Sequence, residues 1–118
     1  MNRNSRIAAV TLVLAGTQGY AQTYIWNGNS LVENMRQFEE SQSPPGTFSS
    51  GTYMGYVVGV ADAFSGEIWC PGRAGNGVTV SQITSTVAKY MNNNPDKWHL
   101  EATTLIMNAL QQAFPCKK

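Results

Sequence analysis

Gly51-Thr52-Tyr53-Met54-Gly55-Tyr56-Val57-Val58-Gly59-Val60-Ala61-Asp62-Ala63-Phe64 is the stretch on which the fold turns. Its β-branched valines and three glycines argue for a strand on propensity alone. Its spacing argues the other way. Tyr53, Tyr56, Val57, Val60, Ala61 and Phe64 fall at i, i+3, i+4, i+7, i+8 and i+11, one apolar stripe sustained over three helical turns. Periodicity outweighs propensity here, so the segment reads as a helix. Gly51, Gly55 and Gly59 also recur at every fourth position and continue to Ala63. A strip without side chains lets another backbone approach closely, as it does between membrane helices. The strip reads as a close-packing face, either inside the protein or across a dimer. Asp62 lies off the stripe and reads as a solvated residue.

On the N-terminal side, Gln22 to Asn29 is polar with Tyr24, Ile25 and Trp26 embedded, an extended lead-in that tucks its aromatic residues against the core. Ser30-Leu31-Val32-Glu33 has the Ser-x-x-Glu form of a capping box. Leu31, Met35 and Phe38 follow at helical spacing, and this helix fades near Glu39-Glu40. Ser41 to Ser50, containing Pro44-Pro45-Gly46, is a loop by composition. On the C-terminal side, Ser65 to Thr79 is a long irregular connection holding Trp69, Cys70, Pro71 and the run Gly72-Arg73-Ala74-Gly75-Asn76-Gly77. Thr79-x-x-Gln82 offers a second capping box, followed by the stripe Val80, Ile83, Val87, Tyr90 and Met91. Asn92-Asn93-Asn94-Pro95 ends that helix. Asn94-Pro95 also predicts the start of the next, whose apolar face is Trp98, Ala102, Leu105, Ile106, Ala109, Leu110 and Ala113 and which Pro115 stops. The expected fold is all-α, a small bundle of about four helices.

The first residues predict export. A basic head at Arg3 and Arg6, an apolar run from Ile7 to Ala15, and small residues at Gly19 and Ala21 make a secretory signal peptide, residues 1–21. The run is short of the about 20 apolar residues that span a bilayer. In an oxidising compartment the two cysteines, Cys70 and Cys116, have one possible pairing and are expected to form a disulfide. The mature chain, 22–118, is a single domain of about the size at which a core alone is marginal, so such a staple contributes materially. Without Arg3 and Arg6, six basic residues face seven acidic ones and the net charge of +1 becomes −1. That balance gives no support to nucleic-acid binding or to a polybasic membrane surface.

No constellation assembles an active site. Cys70 with His99 and an orienting Asp62 or Asp96 has the residue types of a cysteine hydrolase. A cysteine committed to a disulfide, however, is no nucleophile. His99, expected in the first turn of the last helix, reads as a packing or hydrogen-bonding residue. One histidine without clustered carboxylates cannot supply a metal site, and no cofactor is expected. The Gly72 to Gly77 run lacks the Gly-Lys-Ser/Thr ending of a phosphate cradle. It suits a loop presented to a partner, with a solvent-facing connection as the alternative. From the residues alone, the chain is an exported, disulfide-pinned helical binding protein, not an enzyme.

Several segments carry a resemblance. They are Gly55-Tyr56-Val57-Val58-Gly59-Val60-Ala61-Asp62-Ala63, Trp69-Cys70-Pro71, Val78-Thr79-Val80-Ser81-Gln82, Val87-Ala88-Lys89-Tyr90-Met91 followed by Asn94-Pro95, and Leu105 through Ala109-Leu110 to Ala113-Phe114-Pro115-Cys116. Across Gly55 to Cys116 the chain resembles the Rap/Tai family of immunity proteins, which guard bacteria against peptidoglycan amidases delivered by type VI secretion. The residues before Ser50 carry little of it. The resemblance implies an all-α periplasmic homodimer that binds a cysteine amidase and blocks its cleft. Those effectors cut the γ-D-glutamyl–diaminopimelate bond of stem peptides. Inhibition is then steric, by a loop entering the cleft: first choice Gly72, Arg73, Ala74, Gly75, Asn76 and Gly77, second choice the turn of Asn92, Asn93, Asn94, Asp96 and Lys97. Gly51, Gly55 and Gly59 supply the dimer face. Two other classes share the small helical disulfide-pinned form: a periplasmic chaperone of the acid-stress type, and an envelope adaptor that neutralises no toxin.

Overall fold

The computed structural model describes residues 24–40, 47–72 and 77–117. Four α-helices run in the order α1 (Gly28–Glu40), α2 (Phe48–Phe64), α3 (Val80–Asn93) and α4 (Ala102–Ala113), with a short 3₁₀ turn, Pro95–Lys97, between the last two. Among the described residues there is no strand, and the fold is all-α. The predicted signal peptide lies outside them.

α2 is the helix that its spacing predicts. Tyr53, Val57 and Ala61 are fully buried, flanked by half-buried Tyr56, Val60 and Phe64. Against it pack Leu31, Val32 and Met35 of α1, Ile83, Val87 and Met91 of α3, and Leu105, Ile106 and Leu110 of α4. α1 lies most extensively on α2. The ends of two predicted stripes fall outside the core, since Val80 and Ala113 are exposed. Thr79 and Gln82 form the expected capping box: the Gln82 amide donates to Thr79 Oγ1 and the Thr79 amide to Gln82 Oε1. α2 starts earlier than composition suggests. Thr47 caps it by accepting from the Ser50 amide at 3.1 Å, so Phe48 to Ser50 are helix, not loop.

Two boundaries differ from expectation for one shared reason. α1 is capped by Asn27, not Ser30: Asn27 Oδ1 accepts from the Ser30 amide and hydroxyl, and Glu33 is exposed. The last helix begins at Ala102, not Pro95. The Trp98 and Leu100 carbonyls, which a continuous helix would spend on its own later amides, instead accept from Asn29 and Gly28 at 2.9 Å. The Ala102 amide donates to Trp26, and Asn27 pairs with Glu101. The start of α1 and the break before α4 thus satisfy each other's orphan groups. The lead-in is held by Trp26, which stacks on Tyr56 at 4.7 Å, while Ile25 is exposed.

After α2, Gly66 turns the chain in the left-handed region at φ 87°. Trp69 folds back into the core and donates its indole N–H to the Ala61 carbonyl at 2.7 Å. Trp69 also contacts Phe114, whose carbonyl accepts from the Cys70 amide. This brings Cys70 against the end of α4, where it is joined to Cys116 as expected, with Cα atoms 4.9 Å apart.

Candidate functional site

The two candidate loops stand at opposite ends of α3. Gly77 stands two residues before the Thr79 cap, and Asn92 begins the exit from the helix. Fourteen residues at 1.5 Å each separate them by about 21 Å. They are therefore alternatives for one narrow cleft, not two halves of one plug. Of the first loop, Gly72 and Gly77 are exposed, and residues 73–76 lie outside the described residues. The disulfide anchors its base at Cys70.

The second loop is held from several directions. The Asn94 side chain donates to the Tyr90 carbonyl at 2.8 Å, and the Asn94 amide to Met91. The Trp98 indole donates to the Met91 carbonyl at 2.9 Å. Asn92 reaches Glu39 of α1 at 2.7 Å. Asn92, Asn93, Pro95 and Asp96 are exposed, whereas Asn94 and Lys97 are half-buried. The Lys97 ammonium lies 5.8 Å from the centre of the Tyr90 ring, a distance at which cation–π attraction operates. Surface grooves border the turn. One, of about 670 Å³, runs between α1 and α3, and one of about 380 Å³ between α3 and α4; Lys89 and Asn93 line both.

Gly51, Gly55 and Gly59 all lie on the outer side of α2. A Cβ at any of them would meet no described atom within 4 Å. Among the described residues, then, nothing packs closely on this strip. Asp62 is exposed on the same helix. Phe48, at its start, is 90% exposed.

Gly28 is a positioning residue that the sequence reading passed over. A Cβ there would stand 2.6 Å from Trp98 Cα and 2.7 Å from both Trp98 O and Leu105 Cδ1. The chain approaches this closely because the Gly28 and Asn29 amides must reach the Leu100 and Trp98 carbonyls. Its signal was present in the Asn27-Gly28 pair, but nothing local says what the glycine is to touch.

His99 sits exposed in the turn before α4, not in its first turn. Cys70 is oxidised, so a Cys70–His99 pair has no thiolate to offer. Among the described residues no three His, Cys, Asp or Glu side chains gather as a metal site would require. The displaced titration in the core belongs to Tyr53: burial, and then the charge of Glu39, push its phenol well above the ordinary range. Tyr53 donates to the Thr84 carbonyl at 2.6 Å as a neutral group.

No curated protein matches the chain. The sequence model of the Rap1a immunity proteins matches residues 27–116, from the Asn27 cap through all four helices to the second half of the disulfide, and the chain belongs to that family.

Proposed function

We propose that the chain is exported by cleavage after Ala21, folds in the periplasm, and there binds and sterically inhibits a peptidoglycan amidase delivered by type VI secretion. Membership of an immunity family carries the coarser part of this, the binding of a cognate effector protein, and the match over residues 27–116 is the observation on which the reading stands. The export signal and the joined cysteines agree with an oxidising compartment. No helix among the described residues is long and apolar enough to cross a membrane. Blocking a cleft asks for no catalytic group in the inhibitor, only a shaped element and complementary charge. The candidates are the Gly72 to Gly77 loop and the Asn92 to Lys97 turn. The open glycine strip of α2 is the face we assign to a homodimer, because a helix of a second protomer approaches there without meeting a side chain.

The test is a pull-down of the mature, oxidised protein against peptidoglycan amidases, followed by hydrolysis of sacculi with and without it. Tight binding with lost hydrolysis is expected. A folded protein that binds none of them and protects no sacculus would sink the amidase reading and leave the envelope adaptor.

A further inference from the structure

Independently of that reading, we propose that the Cys70–Cys116 bridge is a site of thiol exchange in the folded protein, and that Cys70 carries the sulfur an external thiolate attacks. Both cysteines are only half-buried, whereas the neighbouring Trp69 is buried. Gly72, Pro115 and Lys117 around them are exposed. Together with these three residues, Cys70 lines a cavity of about 580 Å³. That is many times the ~30 Å³ that a water molecule occupies, so a small thiol has room to approach. Exposed bridges of this kind are the exchangeable ones, in contrast to bridges enclosed in a core.

An incoming thiolate bonds to Cys70 Sγ while the bridge breaks, and the electron pair leaves on Cys116 Sγ. A second external thiolate then attacks the external sulfur of the mixed disulfide and releases Cys70 as a thiolate. Two external thiols thereby become one disulfide, the bridge becomes two thiols, and the protons of the external thiols end on the cysteines. Lys117 follows the leaving sulfur in the chain and lines the same cavity. A nearby ammonium lowers the pKa of a thiol, and a thiol of lower pKa leaves faster. Non-covalent contacts hold the two bridged segments together as well. The Cys70 amide donates to the Phe114 carbonyl at 2.9 Å, and the Phe114 amide donates to Leu110. The Trp69 ring lies against Phe114, and its indole is bonded to Ala61. None of these contacts passes through a sulfur. Opening the bridge is therefore a local event that loosens the connection after α2 and the end of α4 while the four helices stay packed.

The experiment uses the mature, oxidised wild-type protein and glutathione under native conditions, quenched with iodoacetamide at intervals and mapped by peptide mass. Exchange in the folded state should run at a rate proportional to glutathione concentration and change little in urea below the unfolding transition. The early trapped species should carry glutathione on Cys70 and the alkyl group on Cys116. Far-UV circular dichroism of the reduced protein should stay helical, with hydrogen-exchange protection lost around Cys70 and Phe114 and kept in the core of the helices. A rate that levels off with glutathione and climbs with urea would mean that the bridge opens only through global unfolding, and overturns the proposal. Glutathione trapped on Cys116 instead of Cys70 overturns the assignment of the attacked sulfur. Neither result touches the immunity reading, which does not depend on how the bridge is opened.

Discussion

Gly28 shows how a single hydrogen atom in place of a methyl group sets the position of two helices. Its amide must reach Leu100 while its Cα lies against Trp98. The nearest atoms to an added Cβ include backbone, which cannot swing aside as a side-chain end would. Gly28→Ala should therefore destabilise the fold by about 1–3 kcal/mol, the range for overpacking a tight site. A thermal melt checks this, and an unchanged midpoint would mean the α1–α4 junction yields easily. Tyr53 makes a second prediction. Its folded-state pKa is raised, so the contribution of the neutral buried phenol is full below the tyrosine reference value of 10.0 and is lost as pH rises above it. The melting temperature should decline on the alkaline side of that value. Tyr53→Phe should flatten the decline, at a cost of about 1 kcal/mol for the lost bond to Thr84. A pH series of melts on both proteins reads the difference; parallel alkaline limbs would assign the decline to other groups.

The elements differ in how much of their own ending they specify. α3 carries its start signal in four residues, Thr79 to Gln82, and begins where they say. α1 and α4 do not, because their ends bond to each other across more than sixty residues of chain. α2 is apolar on nearly every side, and this is the unusual element. Glycine inside a helix costs roughly 0.5–1 kcal/mol relative to alanine, yet none of its three helix-interior glycines meets a described atom that would exclude a methyl group. Gly55→Ala should thus stabilise the isolated protomer by about that amount. If the strip is a dimer face, Gly55→Arg should leave the helical content intact and shift the protein to monomer in analytical ultracentrifugation. A dimer that survives Gly55→Arg would place the interface elsewhere.

Across the whole molecule, the disulfide ties the connection after α2 to the end of the last helix. Closing the 46 residues between Cys70 and Cys116 is worth about 4 kcal/mol in the chain-entropy estimate. Cys116→Ser should accordingly lower the melting temperature by about 15 °C or more. Equal melting of the oxidised wild type and the variant would show the bridge to be dispensable. The pairing was legible because two cysteines admit one connectivity. That the bridge sits beside buried Trp69 and Phe114 was not, since neither residue belongs to a regular stripe. Of the candidate loops, composition marked both, and the Thr79 cap and the Asn94-Pro95 stop already set them at the two ends of one helix.

The sequence by itself determined what depends on near neighbours: the four helical stripes, the Thr79–Gln82 cap, the solvated place of Asp62 and the partnership of the cysteines. Each is settled by side chains within a few turns of one another, or by there being one alternative. Tertiary structure alone decided where α1 starts, why the chain breaks before Ala102, that Gly28 admits no side chain, and that Gly51, Gly55 and Gly59 face outward. These are bonds and contacts between residues far apart in the chain. A backbone amide or carbonyl carries no mark in the sequence of which distant group it will meet.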